Sequence, residues 1–191
     1  MAWDTEGTRR RLLDAGGTLF ARHGFAGTSM DAIARESGVN KERVYQYFGS
    51  KSGFFTAVLD HQLAGLLDGM RVEGTGATAV GAWAQALFDR FETSPDLARL
   101  LAWESLELPE PVAAGHRAQT CAAQVEDLRA AVPENDRVQS EHLLLSLVTL
   151  VTGWWTLSHI AETILPGGSS AAARRDQVRL QAERLAVAPV R

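Results

Sequence analysis

The sequence predicts an all-α protein of about nine helices, and three observations support that fold class. Apolar residues recur every three or four positions through most of the 191-residue chain, which is the spacing of one buried helix face. Proline and glycine-rich stretches interrupt this pattern and leave segments of helical length between them. Residues 28–51 contain two short helix patterns joined by a tight glycine turn, followed at once by the start of another helix.

The first three helices are predicted at residues 5–23, about 30–37 and 41–48. Thr28 or Ser29 can accept a hydrogen bond from the unpaired amides at the start of the second helix. Gly38 stands where a left-handed residue would end that helix, and Asn40 is a good cap for the third. The spacing of these signals predicts two helices that cross closely around a small turn.

The third helix carries side chains that suit contacts with phosphates and base edges. A solvated helix face is usually rich in glutamate and lysine, whereas this one offers two tyrosines, a glutamine, an arginine and a lysine. Val44 and Phe48 lie four residues apart, so they can anchor the helix to a core. The polar set is Lys41, Arg43, Tyr45, Gln46 and Tyr47. This composition favours a DNA-reading helix over three amphipathic helices of an ordinary bundle.

Charge is distributed unevenly along the chain. Residues 1–59 hold eight Lys/Arg and six Asp/Glu, a net charge of +2. The remaining residues carry −6, and the whole chain carries −4. The basic N-terminal end suits DNA and the acidic remainder would be repelled by it, although the basic excess is small.

Six further helices follow from apolar spacing and from the breaks between them. Ser50 can cap the fourth, and the loop 74–78 separates it from the fifth. The later breaks are Ser94-Pro95, Pro109-Glu-Pro111, Pro133 and the turn 166–170. The first three of these helices are predicted at residues 51–70, 80–93 and 96–108. The next follows Pro111 and ends at about residue 132, and the last two cover residues 134–165 and the segment after residue 170.

The predicted helix at 134–165 is apolar on most sides. Residues 142–161 carry no formally charged side chain, a length that could span a bilayer. The segment also contains histidines, serines, threonines and a glycine and lacks flanking lysines, which favours a helix buried in a soluble bundle. A helix that is apolar nearly all round must be covered on nearly all sides, so a partner subunit is expected.

The N-terminal segment resembles the helix-turn-helix domain of tetracycline-repressor (TetR) family transcriptional regulators. The resemblance covers roughly residues 8–56, and it rests on residues 21–34, Ser37-Gly-Val39, residues 44–51 and Phe54-Phe55. It implies a DNA-binding domain at residues 1–50 and an effector-binding and dimerisation domain at residues 51–191. It also implies a ligand-responsive repressor that binds a pseudo-palindromic double-stranded operator as a homodimer, joined through its last two long helices.

The resemblance implies two sets of DNA contacts. Small residues usually occupy the positions of Glu42 and Arg43 in the family, so this chain departs from the pattern there. Arg43 is expected to read a G·C pair, with Glu42 accepting from cytosine or orienting Arg43. Tyr45 is expected to touch phosphate, sugar or a thymine methyl group. The expected phosphate contacts are Thr28, Ser29, Tyr47 and Lys51. The expected base-reading residues are Asn40, Lys41, Glu42, Arg43, Val44 and Gln46.

A small-molecule effector is also implied by the resemblance. Aromatic residues and histidines after residue 80 suggest a mostly neutral cavity, and an apolar or aromatic effector is expected. Plain core packing is the alternative for each tryptophan. The candidate ligand residues are Trp83, Phe88, Trp103, His116, Trp154, Trp155 and His159.

Other functional classes have little support in the sequence. The five histidines have no metal-like spacing, and there is no glycine-rich phosphate loop or nucleophile elbow, so neither an enzyme, a metal site nor a cofactor is expected. The lone Cys121 excludes an internal disulfide and suits the cytoplasm. No signal peptide and no membrane contact are expected. A helical adaptor whose head binds protein is the remaining alternative.

Overall fold

Ten α-helices make up the part of the chain that the computed structural model describes, residues 5–63, 66–67, 69–112 and 114–187. The helices are α1 (Thr5–Gly27), α2 (Met30–Ser37), α3 (Lys41–Phe48), α4 (Lys51–Leu63), α5 (Gly76–Thr93), α6 (Pro95–Glu107), α7 (Ala114–Ala131), α8 (Arg137–Thr156), α9 (Ser158–Ile164) and α10 (Ala171–Val187). No strand occurs in these residues, which confirms the all-α class. The predicted number of about nine is corrected to ten, because residues 134–165 contain two helices.

The described residues form two compact units. The first lies within residues 1–66 and 96–114, and the second within residues 67–95 and 115–191. Both α4 and most of α6 therefore pack in the same unit as the helix-turn-helix. The functional division at residue 50 stays a prediction, and it does not coincide with these units.

The core of the first unit is built mainly from phenylalanines of α1 and α4. The Phe20 ring centroid lies 4.8 Å from that of Phe55 and 5.9 Å from that of Phe54, and all three side chains are fully buried. Burying each such side chain contributes about 1.5–3 kcal/mol. Gly16 permits close approach of the two helices, because a Cβ there would lie 2.6 Å from Phe54 Cζ. These contacts fix α1 and α4 as the support for α2 and α3.

The ends of α2 and α3 carry the predicted caps. Ser29 Oγ accepts from the Ala32 amide at 3.1 Å, and Asn40 Oδ1 accepts from the Glu42 amide at 2.9 Å. Gly38 ends α2 with φ 68°, a left-handed conformation that favours glycine. The two helices of the motif thus begin and end where the sequence predicts.

The second unit is held by close packing of α10 on α5 and by a buried polar link. A Cβ on Gly81 of α5 would lie 2.6 Å from Glu183 Cγ of α10. The Trp83 indole donates to Gln124 Oε1 at 3.0 Å, and Gln124 Nε2 donates to the Met70 carbonyl at 3.0 Å. This link ties α5 to α7 and to the segment before α5.

The fourth helix is shorter than predicted. It ends at Leu63 rather than residue 70, and the described residues beyond it form turns. The Leu66 amide donates to the Leu63 carbonyl and the Met70 amide to the Leu67 carbonyl, both at 3.0 Å. Gly69 has φ 67°, which is incompatible with a continuing helix.

The prediction of a single helix at residues 134–165 is wrong. The helix breaks at Leu157, whose ψ of 37° is not helical, and the axes of α8 and α9 are bent by 87° relative to each other. The hydroxyls of Thr152 and Thr156 donate to carbonyls four residues earlier, a pattern that often accompanies helix bending. Among the described residues, only α8 and α9 taken together reach the length and apolar character of a membrane span; no single helix does.

Candidate nucleic-acid interface

The exposed face of α3 carries most of the predicted base-reading side chains. Asn40, Glu42 and Gln46 are exposed and Arg43 is partly exposed, whereas Val44 on the opposite face is fully buried. Val44 therefore anchors α3 to the core and cannot meet a base in this arrangement. The helix is oriented by that buried valine, so its polar side chains face outward together.

A groove of about 560 Å³ lies between α3 and the start of α1. Its walls include Arg43, Glu42 and Gln46 from α3 and Thr8 and Arg11 from α1. Arg11 donates to the Thr8 hydroxyl at 3.3 Å, which directs its guanidinium along this groove. The first helix thus adds a cation beside the base-reading face.

Lys41 is engaged by α2. Its ammonium donates to Asp31 Oδ2 at 2.8 Å, and both side chains are largely exposed. The hydrogen bond to Asp31 and its negative charge raise the pKa of Lys41 above the ordinary lysine value. The pair directs Lys41 toward α2 and joins the two helices of the motif across their exposed side.

The candidate phosphate contacts surround α3. Ser29 is exposed at the start of α2, and its hydroxyl hydrogen remains available while its oxygen caps the helix. The Tyr47 ring is partly exposed and lies 6.0 Å from the Phe48 ring. Lys51 Nζ donates to the Ala26 carbonyl at 3.4 Å. Three donors thus lie at the start of α2, the end of α3 and the start of α4.

Thr28 does not belong to this exposed set. Its side chain is 2% exposed, and its hydroxyl donates to the carbonyls of Gly24 (2.8 Å) and Leu19 (3.1 Å). The hydroxyl closes the junction between α1 and α2 instead of facing solvent. A phosphate contact through this hydroxyl, as expected from the sequence, is not supported.

Two side chains of α6 were not foreseen at this end of the molecule. The Trp103 indole donates to the Ala21 carbonyl at 3.3 Å, and Glu107 Oε2 accepts from the Ala26 amide at 2.7 Å. Trp103 therefore packs within the first unit, against α1. Nothing in the local sequence of α6 signals contacts with residues about eighty positions earlier.

The other aromatic residues of the predicted effector site are only partly brought together. The ring centroids of Trp155 and Phe88 lie 4.8 Å apart, and those of Trp155 and Phe91 lie 5.8 Å apart. Trp83 is 3% exposed and is bonded to Gln124, as described above. Trp154 lines a separate groove of about 430 Å³ at the bend between α8 and α9.

Of the two predicted ligand histidines, the structure describes the side chain of His159 only. The His159 side chain is 97% exposed, with Nδ1 3.7 Å from Glu162 Oε2. The side chain of His116 lies outside the described part of the structure. Across the described residues, no group of three or more histidine, cysteine, aspartate or glutamate side chains could hold a metal ion.

Comparison with known proteins identifies the family. The N-terminal model of the tetR family of bacterial regulatory proteins matches residues 12–58, and the model of the tetracyclin repressor-like C-terminal domain matches residues 79–184. The HTH-type transcriptional repressor SCO4008 of Streptomyces coelicolor is 33% identical over 192 residues, covering 96% of this chain and 97% of the relative.

Solved structures have the same fold. SCO4942 of Streptomyces coelicolor, assigned as a transcriptional regulator, has a TM-score of 0.77 at 30% identity, with 93% of this chain and 97% of that chain covered. FadR of Bacillus subtilis in complex with stearoyl-CoA has a TM-score of 0.65 at 15% identity, covering 91% and 96% of the two chains. At that identity the likeness shows the fold alone. The chain therefore belongs to the TetR family of bacterial regulatory proteins, and it is a DNA-binding transcriptional regulator rather than an enzyme.

Proposed function

We propose that this chain is a ligand-responsive repressor that binds a pseudo-palindromic operator in the cytoplasm as a homodimer. The observation that carries the proposal is the exposed polar face of α3. Val44 orients this helix from the core, and Asn40 and Gly49 cap its two ends. A helix held in this way can enter the major groove with several donors and acceptors directed at base edges. The name of the relative SCO4008 supports repression rather than activation.

The proposed contacts divide into those that position the protein and those that read sequence. Phosphate contacts are assigned to the exposed or partly exposed Ser29, Tyr47 and Lys51, with Tyr45 beside them on α3. Base contacts are assigned to Asn40, Lys41, Glu42, Arg43 and Gln46. Thr28 and Val44 are left out because their side chains are buried.

The direction of Lys41 in the complex depends on its ion pair. The ammonium reaches DNA while Asp31 still accepts one of its three hydrogens, since the pair is exposed on the side of the motif. Asp31 would then limit the bases that Lys41 can meet. Of the two positively charged base-reading residues, Arg43 lies in the groove beside α1 and is the one we assign to a G·C pair.

Dimerisation through α8 and α10 is supported by apolar side chains on their surfaces. Val138 and Leu145 of α8 are 59% and 62% exposed, and Leu185 and Val187 of α10 are 42% and 68% exposed. A two-fold partner that covers these side chains removes apolar surface from water. Two copies of α3 would then be held at a fixed separation, as a pseudo-palindromic operator requires.

The effector is proposed to be apolar or aromatic. Phe88, Phe91 and Trp155 form a contiguous aromatic cluster in the second unit, with Trp83 buried on α5. The structural neighbour FadR was solved with stearoyl-CoA, so a protein of this fold can bind a ligand that contains a long apolar acyl chain. Release of DNA requires the effector to bind one dimer geometry more tightly than the other.

Selection of genomic DNA by the purified protein tests the function directly. We expect a small set of fragments that share a pseudo-palindrome, and a mobility shift that persists for these fragments at raised salt. Recovery of fragments with no shared sequence, whose binding weakens equally as the salt concentration rises, would contradict sequence-specific reading. If the purified protein instead binds other proteins and no DNA, the result would favour the helical adaptor.

A further inference from the structure

We propose that Glu107 of α6 is a positioning residue for the phosphate contact of Lys51. This inference rests on the proposed DNA contacts and adds a residue that lies outside the helix-turn-helix motif. The link between the two side chains is Ala26, in the last turn of α1, beyond the kink at Gly24. Glu107 accepts from the Ala26 amide at 2.7 Å, and Lys51 donates to the Ala26 carbonyl at 3.4 Å.

The turn needs external support because α1 is interrupted there. Gly24 has φ 71° and ψ 177°, so the chain leaves helical geometry three residues before α1 ends. Two side chains of α6 contact the chain on either side of this kink. Trp103 donates to the Ala21 carbonyl before it, and Glu107 accepts from the Ala26 amide after it.

The fit around the kink is close. A Cβ built on Gly24 would lie 2.7 Å from Glu107 Oε1 and 3.1 Å from Trp103 Cε3. Both α6 side chains therefore cover the kink directly. A charge-assisted hydrogen bond from a backbone amide to a carboxylate is also among the stronger bonds available to such a turn.

Lys51 is held against the same turn. Its ammonium lies 4.6 Å from the centroid of the Phe25 ring and within bonding distance of the Ala26 carbonyl. Both of these groups belong to the segment that Glu107 fixes. An ammonium has three donors, so hydrogens remain for a phosphate while one contacts Ala26. The direction of the lysine is thus set by the turn, and the turn is set by α6.

Charge alone predicts the opposite effect for this residue. Removing an acidic side chain near the DNA-binding face reduces repulsion of phosphates, which would tighten binding. If Glu107 positions Lys51, its removal weakens binding in spite of the missing negative charge. The sign of the change therefore separates the two interpretations.

The test uses the full chain and a DNA fragment selected by the wild-type protein. Glu107→Ala is expected to weaken binding on the order of five-fold, since one charged hydrogen bond supports the turn. The slope of log K against log salt should fall in magnitude by about 0.9 for each phosphate that Lys51 no longer neutralises. Glu107→Gln keeps an oxygen that can accept from Ala26, so it should restore most of the affinity and the slope.

Glu110→Ala is the matched control, because it removes an exposed acidic side chain from the same segment. It should leave the affinity unchanged or slightly tighter. In a Lys51→Met background, Glu107→Ala should change the affinity less than about two-fold, because the ammonium that it positions is already absent. A thermal melt of each variant separates a smaller folded fraction from a misdirected lysine, since unfolding lowers the active fraction without changing the salt slope.

An unchanged slope in Glu107→Ala, or an equal decrease in affinity with and without Lys51, would overturn the positioning role while DNA binding by the wild type stands. If the wild-type chain shows no salt-dependent binding to DNA, the proposed function fails and this inference fails with it.

Discussion

Arg43 and Glu42 share the exposed side of α3 and the groove beside the start of α1. Residue types were enough to predict that this face is polar and that Val44 could anchor it. They were not enough to distinguish Thr28 from Ser29, since both are good caps. In the structure Ser29 caps α2, whereas the buried Thr28 hydroxyl donates to backbone carbonyls of α1. That choice depends on the kink at Gly24, which lies directly after residue 23, the predicted end of the first helix.

At the same scale, Lys41 shows why pairing is hard to foresee. Its partner Asp31 lies ten positions away on another helix, so no helical spacing rule relates them. The pair forms only because α2 and α3 cross at this point. The structure therefore adds an ion pair with Asp31 to the expected base contact of Lys41, and the base contact itself stays a prediction.

Arg43→Ala tests the base-reading assignment. We expect a cost of about 1–3 kcal/mol that is confined to operators carrying the G·C pair that Arg43 reads. The measurement is a binding panel in which each operator base pair is replaced in turn, with wild type and variant compared. Lys51→Ala serves as the contrast, because removal of a phosphate-binding group should weaken all sequences alike. Equal decreases for Arg43→Ala across the panel would show that Arg43 contacts the backbone.

Among the helices, α2 and α3 were predicted best because their ends carry strong signals. Gly38 and Asn40 end α2 and begin α3 as expected. The prediction of one long helix at residues 134–165 failed because the helix breaks at Leu157, which is neither glycine nor proline. Its apolar run continues through the bend, so periodicity alone could not show it. The contacts of α6 with the C-terminal end of α1 join residues far apart in the chain, so no local sequence pattern predicted them either.

Gly38→Ala tests the turn that joins α2 to α3. A Cβ at this glycine would meet no atom within 4 Å, so the expected cost comes from the φ of 68° alone. We expect a decrease of about 1–2 kcal/mol in the free energy of unfolding, measured by urea denaturation.

Gly115→Ala is the matched control for that change. Its Cβ would also meet no atom within 4 Å, but Gly115 lies near the start of α7 and has no positive φ. Alanine is favoured over glycine in a helix by up to about 1 kcal/mol, less near an end, so this variant should not be destabilised. Equal decreases in the two variants would contradict the strain argument.

For the whole molecule, charge and apolar surface are segregated along the chain. The N-terminal 59 residues carry +2 and the remainder −6. Exposed apolar side chains occur on both α8 and α10. The sequence predicted a partner subunit from the apolar segment at 142–161, although that segment proved to be bent. The aromatic residues proposed for an effector cavity are divided between the two compact units, and the cavity itself stays a prediction.

Leu145→Glu tests the proposed dimer. A charged side chain in place of a leucine that is 62% exposed should leave the isolated subunit folded and disfavour an apolar interface. We expect sedimentation to shift from dimer to monomer and operator affinity to fall by about 100-fold or more, since the two heads no longer bind together. Leu106→Glu on α6, where the leucine is 76% exposed, is the control and should remain dimeric. A dimer that persists in Leu145→Glu would place the interface elsewhere.

The most direct test of sequence-specific DNA reading is binding of the wild-type protein to its selected operator and to a shuffled duplex of the same composition, measured by fluorescence anisotropy at several salt concentrations. The operator should bind at least about 10³-fold more tightly at physiological salt, and the preference should persist as nonspecific binding falls. Equal affinities for the two duplexes at every salt concentration would contradict it.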